Sequence, residues 1–202
     1  DDDNDVRRAA VQELARGWKD DPETLSILKT RAQHDDDNDV RSAAVQELAR
    51  GWKDDPETLS ILKTRAQHDD NYAVRSAAVQ ELARGWKDDP ETLSWLKTRA
   101  QHDDNYAVRS AAVQELARGW KDDLSLLNFW SDRTLQDPFK REYDWQTNPR
   151  QITLQVLTTQ YPNNLKTEEL LRDRIKNDTD EQLRTWATKQ LTKLGLANPK
   201  EQ

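Results

Sequence analysis

Two acidic runs are the first candidates for chemistry in this chain. The string DDDND occurs at residues 1–5 and 35–39, and clustered carboxylates resemble the start of a calcium-binding loop. Such a loop also requires glycine at its sixth position and glutamate at its twelfth, where the second run has Val40 and Gln46. The runs therefore favour helix capping, in which a carboxylate accepts a bond from a backbone N–H, over a metal site.

Recurring histidines are the second candidates. His34, His68 and His102 follow one another at a constant spacing. Stacked helices lie about 10 Å apart, whereas a metal–nitrogen bond is about 2 Å long, so one ion cannot be shared by these side chains. The sequence contains no cysteine, no phosphate-binding loop of the G-x-x-x-x-G-K-[ST] kind and no legible nucleophile–base arrangement. We therefore expect no catalytic residues, no metal and no cofactor.

A row of arginines lies on a helix face that is otherwise apolar. At about 100° per residue, Arg41 falls within the arc that holds Val40 and Ala44, where a charge needs a partner. Arginine occupies the equivalent place along the whole chain, at Arg7, Arg41, Arg75, Arg109, Arg150 and Arg184. Aspartates lie a few residues upstream in most cases, at Asp35, Asp69, Asp103 and Asp178. We predict a structural Asp–Arg ladder between neighbouring repeats, with an anion site as the alternative.

The elements that carry these residues are copied along the chain. The string GWKDDPETLS begins at Gly17, Gly51 and Gly85, which gives a period of 34 residues. A period of about 20–50 residues is typical of arrays in which each repeat buries its apolar face on its neighbours.

One repeat, residues 35–68, contains two amphipathic helices. The first is predicted from about Asn38 to Arg50, with an aspartate or asparagine cap and a left-handed stop at Gly51. The second is predicted to have Asp55 as its cap and Pro56 in its first turn, and to reach about Gln67. Short connections predict that successive helices are antiparallel.

The string DNDVRSAAVQELA resembles the second helix of short HEAT-like repeats. The period also matches tetratricopeptide repeats, but the order of Gly51, Trp52 and Pro56 does not fit that family. The longer string VRSAAVQELARGWKDDPETL is similar to HEAT-like arrays at the C-terminal ends of large cyanobacterial proteins, some with an upstream NACHT-type domain. The resemblance implies an all-α, right-handed α-solenoid of helical hairpins, for which we count about eleven helices.

Three segments are predicted from the copying. Residues 1–136 contain four near-identical repeats, the first of them truncated, so we expect the chain to be part of a longer protein. Residues 137–148 form an inserted aromatic and basic loop, about seven residues longer than the normal connection. Residues 149–202 contain degenerate repeats and a cap.

Two sets of residues are candidates for binding a partner. The copies differ mainly at one row in the second helix and one in the first, which indicates diversified surface positions: Ile27, Ile61, Trp95 and Phe129, with Tyr72 and Tyr106. Packing between repeats is the alternative for this set. The inserted loop contributes the second set, Phe139, Arg141, Tyr143 and Trp145, since aromatic residues and arginine are enriched at interaction hot spots. Its alternative is a plug over an irregular edge.

Composition narrows the function. A net charge of −7 and a pI of about 5.1 disfavour nucleic acid, and no stretch predicts a membrane span or a signal peptide. We predict a non-catalytic, cytoplasmic interaction domain of a signalling or sensor protein, monomeric, with a protein or peptide partner. Related repeats in some chromophore lyases make bilin attachment one alternative, and an architectural or self-association segment is another.

Overall fold

The computed structural model describes residues 2–121 and 123–196. Within these ranges the chain forms eleven helices and no strand, which confirms the predicted all-α class and the helix number. The helices are α1 (Asn4–Gly17), α2 (Pro22–His34), α3 (Asn38–Gly51), α4 (Pro56–His68), α5 (Tyr72–Gly85), α6 (Thr92–His102), α7 (Tyr106–Gly119), α8 (Leu126–Gln136), α9 (Pro149–Gln160), α10 (Leu165–Asn177) and α11 (Glu181–Lys193).

Carboxylate caps start the helices of the copied repeat as the sequence predicts. Asp37 accepts bonds from the backbone N–H groups of Asp39 and Val40 at the start of α3. Asp55 does the same for Glu57 at the start of α4, where Pro56 occupies the first helical position. Each such cap stabilises its helix by about 1 kcal/mol, because it satisfies a donor that the helix leaves open.

The left-handed stop predicted at Gly51 is wrong. Gly51 is the last residue of α3, and Gly195 is the one residue of the described backbone with a positive φ, at 70°. Trp52 is the C-cap, with φ −131° and ψ 42°, and its N–H still donates to the carbonyl of Leu48. The carbonyl of Trp52 then accepts the N–H of Asp55, so an ordinary turn leads into the next cap without a left-handed residue.

The N-terminal compact unit, residues 1–99, has two layers of helices. Helices α1, α3 and α5 pack side by side in one layer, and α2 and α4 form the other, joined to α3 and α5 by short connections. The predicted apolar faces form the core: Val40 and Leu48 of α3 and Leu62 of α4 are fully buried.

The C-terminal compact unit, residues 100–202, begins within α6. Here α7 and α8 pack against α9, and α10 packs against α8 and α11. Its largest fully buried side chain is Trp130, followed by leucines of α7, α8, α9, α10 and α11. Residues 137–148, between α8 and α9, contain neither helix nor strand. The other repeat boundaries given above stay a prediction.

Candidate functional site

Arg41 joins two repeats of the N-terminal unit. Its side chain lies in the interior and the residue is 7% exposed. Nε and Nη2 donate to the two carboxylate oxygens of Asp69 at 3.0 and 2.8 Å, and Nη1 donates to the backbone carbonyl of Asp35 at 2.9 Å. Two parallel bonds to one carboxylate fix orientation as well as adding energy. The guanidinium therefore holds groups from two successive repeats in a fixed register.

The same two-bond contact, to an aspartate 28 residues further along the chain, recurs in both units. The pairs are Arg7–Asp35, Arg109–Asp137 and Arg150–Asp178. Arg75 and Arg184 donate Nη1 to the carbonyls of Asp69 and Asp178, the aspartates that precede them. An upstream aspartate thus supplies its backbone carbonyl, and the carboxylate of the ladder comes from the following repeat.

The ladder lowers the pKa values of two of its carboxylates, Asp35 and Asp69. Burial alone would raise the pKa of Asp69, but hydrogen bonds from Arg41 and from the backbone N–H of Asn71 outweigh it and hold that pKa below its ordinary value. The pKa of Asp35 is lowered in the same way, against burial, by Arg7 and the N–H of Asp37. Each of these carboxylates is therefore charged in the folded protein at neutral pH.

A second set of contacts between repeats was missed in the sequence. Lys29 of α2 donates to Glu57 at 2.9 Å and forms an ion pair with Asp55 at 2.8 Å, and Lys63 of α4 donates to Glu91 at 3.0 Å. These lysines recur with the period of the repeat, and a glutamate follows each by 28 residues, the same interval as in the ladder. That shared interval was the available signal.

The inserted loop begins as part of the ladder. Phe139 is buried, and its ring packs edge-on against that of Tyr106, with the ring centroids 5.2 Å apart. Its backbone N–H donates to the carboxylate of Asp137. The carbonyls of Asp137 and Phe139 both accept Nη1 of Arg150, at 2.8 and 2.9 Å. This half of the loop covers the edge of the repeat, which is the plug described above as the alternative.

Arg141 fixes the other half of the loop. Nε and Nη2 donate to the two oxygens of Asp180 at 2.9 Å each, and Nη1 donates to the carbonyls of Tyr143, Asp144 and Gln146. The side-chain oxygen of Gln146 accepts the N–H groups of Glu142 and Tyr143, at 2.7 and 3.0 Å. Asp180, the cap of α11, is buried, yet bonds from Arg141 and Asn148 hold its pKa below the ordinary value.

This fixed loop exposes two aromatic rings. Tyr143 and Trp145 are 58% and 73% exposed, and their rings stack with centroids 5.8 Å apart and planes at 10°. We call these two residues the aromatic pair. Offset-stacked rings are a favourable arrangement even in water, so the pair presents one joined apolar surface.

The other predicted row separates into buried and accessible members. Ile61 and Phe129 are buried, and the ring centroids of Phe129 and Trp130 lie 5.2 Å apart. Neither residue therefore leaves much side chain for a partner. Ile27 and Tyr72 are exposed. The remaining two are half-buried: Trp95, with the guanidinium of Arg99 over its ring, and Tyr106, which contacts Phe139. Partner binding by this row stays a prediction, and packing accounts for its buried members.

A groove of about 700 Å³ lies between the inserted loop and α11. The loop contributes Arg141, Glu142 and Asp144, and the helix contributes Glu181 and Trp186 among others. Across the described ranges, no three His, Asp or Glu side chains cluster closely enough to hold a metal ion. In the same part of the chain, every helix is too short or too polar to cross a membrane.

Layers of short amphipathic helices, tied by a periodic arginine–aspartate ladder, define a helical repeat protein. The chain belongs to the family of HEAT repeats, whose model matches residues 1–83 and again 35–117, more than half of the chain. The two matches are offset by one period, in agreement with the 34-residue copying. Comparison with curated proteins and with solved structures gave no significant match.

Proposed function

We propose that this chain is a non-catalytic interaction domain that binds a protein or peptide through the aromatic pair. HEAT repeats commonly mediate protein interactions, and the fold is typically non-catalytic. The observation that carries the proposal is the exposure of Tyr143 and Trp145 on a loop fixed by hydrogen bonds. Aromatic side chains in such positions are the commonest binding hot spots.

The fixed loop supports this proposal energetically. A flexible segment loses conformational freedom when a partner binds, at about 0.5–1.5 kcal/mol for each side chain that becomes immobile. Here Arg141 and Gln146 already hold the backbone beside Tyr143, and the rings of Tyr143 and Trp145 already stack, so part of that loss has occurred in the free protein. Burial of two large rings then adds directly to affinity.

Selection of displayed peptides tests the proposal. Random peptides are selected on the wild-type chain, and each recovered peptide is measured by calorimetry on the wild type, on Tyr143→Ala/Trp145→Ala and on Trp18→Ala. Trp18 is a matched control because it is also 58% exposed but lies at the end of α1. We expect the double variant to weaken binding by about 2 kcal/mol or more and Trp18→Ala to leave it unchanged. Peptides that bind the double variant as tightly as the wild type would refute the proposal.

The wider setting is proposed on the resemblance described above. The chain would be the partner-binding region of a larger cytoplasmic signalling protein with a nucleotide-binding domain of the NACHT type. The gene tests this directly: an upstream phosphate-binding loop in the same reading frame supports it, and a reading frame without one contradicts it.

A further inference from the structure

We infer that the partner is a basic segment, whose arginine side chains enter the groove between the inserted loop and α11. This inference rests on the proposed function and names the chemistry of the partner. The groove adjoins the aromatic pair in sequence, because Glu142 and Asp144 line it while Tyr143 and Trp145 alternate with them. A segment bound to the pair therefore has these carboxylates within reach.

The charges that line the groove favour a cation. Four carboxylates and two basic side chains line it, and one of those carboxylates, Asp180, is already neutralised by Arg141. Within the described residues, Glu142 and Glu181 form no ion pair, and the carboxylate of Asp144 accepts only a long bond from the Gln182 amide, at 3.3 Å. The pairing of Arg141 with Asp180 therefore leaves an excess of negative charge facing the groove, opposed by Lys189 alone.

Aromatic faces make arginine a better fit than other cations. Trp186 of α11 lines the groove and is half-buried, so part of its indole is accessible from the groove. A guanidinium is planar, stacks on aromatic faces and donates in parallel to carboxylates, whereas an ammonium group is a strongly hydrated point charge. Carboxylates and indole in one groove thus match the two binding properties of a single arginine side chain.

The size of the groove fits a short peptide. Ligand pockets commonly have volumes of about 300–1,000 Å³, and the value here falls within that range. Glu181, Gln182 and Lys189 of α11 line it and are exposed, so an extended segment that contacts them is accommodated at the surface of the helix. The protein as a whole, with a net charge of −7, would also attract such a segment over a distance.

Labelled peptides of defined sequence provide the test. Three fluorescein-labelled peptides of equal length alternate glycine with arginine, with lysine or with glutamate, and binding is followed by fluorescence anisotropy at low and moderate salt. We expect the arginine peptide to bind about tenfold more tightly than the lysine peptide, and the glutamate peptide not to bind. The Glu142→Gln/Glu181→Gln variant should weaken the arginine peptide about tenfold.

A matched variant separates a local site from general charge. Glu23→Gln/Glu169→Gln makes the same change in net charge at exposed positions on α2 and α10, and it should leave binding within about twofold at moderate salt. Equal weakening by both double variants, or equal binding of the arginine and lysine peptides, would overturn the inference. Circular dichroism of each variant verifies that it is folded.

The two proposals fail in different ways. If the peptides selected by display need the aromatic pair but are neutral or acidic, the proposed function stands and the inference of a basic partner is wrong. If binding of the arginine peptide depends on Glu142 and Glu181 but not on Tyr143 or Trp145, the groove is a binding site for arginine and the aromatic pair is not part of it. Trp186→Ala tests the stacking of arginine in the groove separately. It should weaken binding of the arginine peptide more than binding of the lysine peptide.

Discussion

The ladder of the N-terminal unit and that of the C-terminal unit differ in how far back along the chain one arginine reaches. Nη1 of Arg41 bonds a carbonyl 6 residues earlier, that of Asp35, whereas Nη1 of Arg150 bonds a carbonyl 13 residues earlier, that of Asp137. The carboxylate partner nevertheless stays 28 residues later in both cases. The difference of seven is the length predicted for the insertion.

This comparison shows which part of a repeat is fixed and which part can vary. In both units the guanidinium bonds an aspartate carboxylate 28 residues later and the carbonyl of an earlier ladder aspartate, so the insertion has been accommodated between that carbonyl and the arginine. The connection that precedes an arginine helix can therefore grow without disturbing the ladder. In the C-terminal unit the added residues carry the aromatic pair, and Arg141 attaches them to Asp180 with the same two-bond geometry that the ladder uses.

The largest expected effect comes from removing one guanidinium in each unit. Arg41→Met and Arg150→Met should each lower the free energy of unfolding by about 3 kcal/mol, because Asp69 or Asp178 then stays buried and charged with only its longer contact, from Arg65 or Arg174. Urea unfolding followed by circular dichroism measures both. Similar losses in the two units would mean that the insertion left the ladder intact.

A double variant gives the control for this comparison. Arg150→Met/Asp178→Asn should lose less than the sum of its single variants, with a coupling energy on the order of 2 kcal/mol. Asparagine keeps the oxygen that accepts the N–H of Asp180, so the turn before α11 is preserved. A loss below about 1 kcal/mol for Arg150→Met beside a full loss for Arg41→Met would show that the inserted loop has weakened the ladder.

Acid should destabilise the N-terminal unit through the same residues. The folded pKa values of Asp35 and Asp69 lie below the value of about 3.9 for an unfolded aspartate, so the folded state binds fewer protons. Their contribution is present above about pH 4 and is lost as the pH falls through the lowered pKa values. Urea midpoints measured through the acid range should fall, and Asp69→Asn should flatten the curve more than Asp20→Asn. A midpoint that rises below about pH 4 would contradict this assignment.

Identical local sequences acquire different environments, which limits what the sequence can predict. The period, the caps and the arginines within an apolar arc depend on neighbours in the chain, and their consequences could be predicted. Ile27 and Ile61 stand in the same local string, yet they are 38% and 6% exposed, because burial depends on which helix lies alongside. Rows of equivalent residues were therefore a poor guide to a continuous binding surface.

The inserted loop was found from its sequence, but its geometry was not. Four aromatic and basic residues in an irregular connection indicated a partner surface or a plug. Phe139 is buried as a plug requires, and partner binding by the exposed Tyr143 and Trp145 stays a prediction. The loop geometry depends on the bond between Arg141 and Asp180, which lies 39 residues later. This pairing could not be predicted, because its spacing occurs only once in the sequence. Periodic pairs such as Lys29 and Glu57 could have been found, since their interval repeats.

A second pair of equivalent arginines, one in each unit, extends the comparison with smaller expected changes in the free energy of unfolding. Arg65 of α4 bonds Asp69 at 3.3 Å, but the corresponding Arg133 of α8 forms no ion pair within the described residues and bonds only Gln136, at 3.5 Å. Burial lowers the pKa of Arg133. We expect Arg65→Met to lose about 1–2 kcal/mol and Arg133→Met to lose nothing or gain up to about 1 kcal/mol, measured by urea unfolding. A loss for Arg133→Met as large as that for Arg65→Met would show that this arginine stabilises α8.

The smallest effect distinguishes two glycines, one in each unit. Gly85 ends α5 with helical geometry and open space around the position of a Cβ, so Gly85→Ala should raise the free energy of unfolding by about 0.5 kcal/mol through reduced freedom of the unfolded chain. Gly195 has φ 70°, which strains any side chain, so Gly195→Ala should lower it by about 1 kcal/mol despite equally open space. Opposite signs in urea unfolding would show that the copied glycines are not conformational stops. If Gly85→Ala instead lowered the free energy of unfolding, the turn through Trp86 would need the conformational freedom of glycine. The copied glycine would then constrain the repeat in addition to the arginine–aspartate ladder.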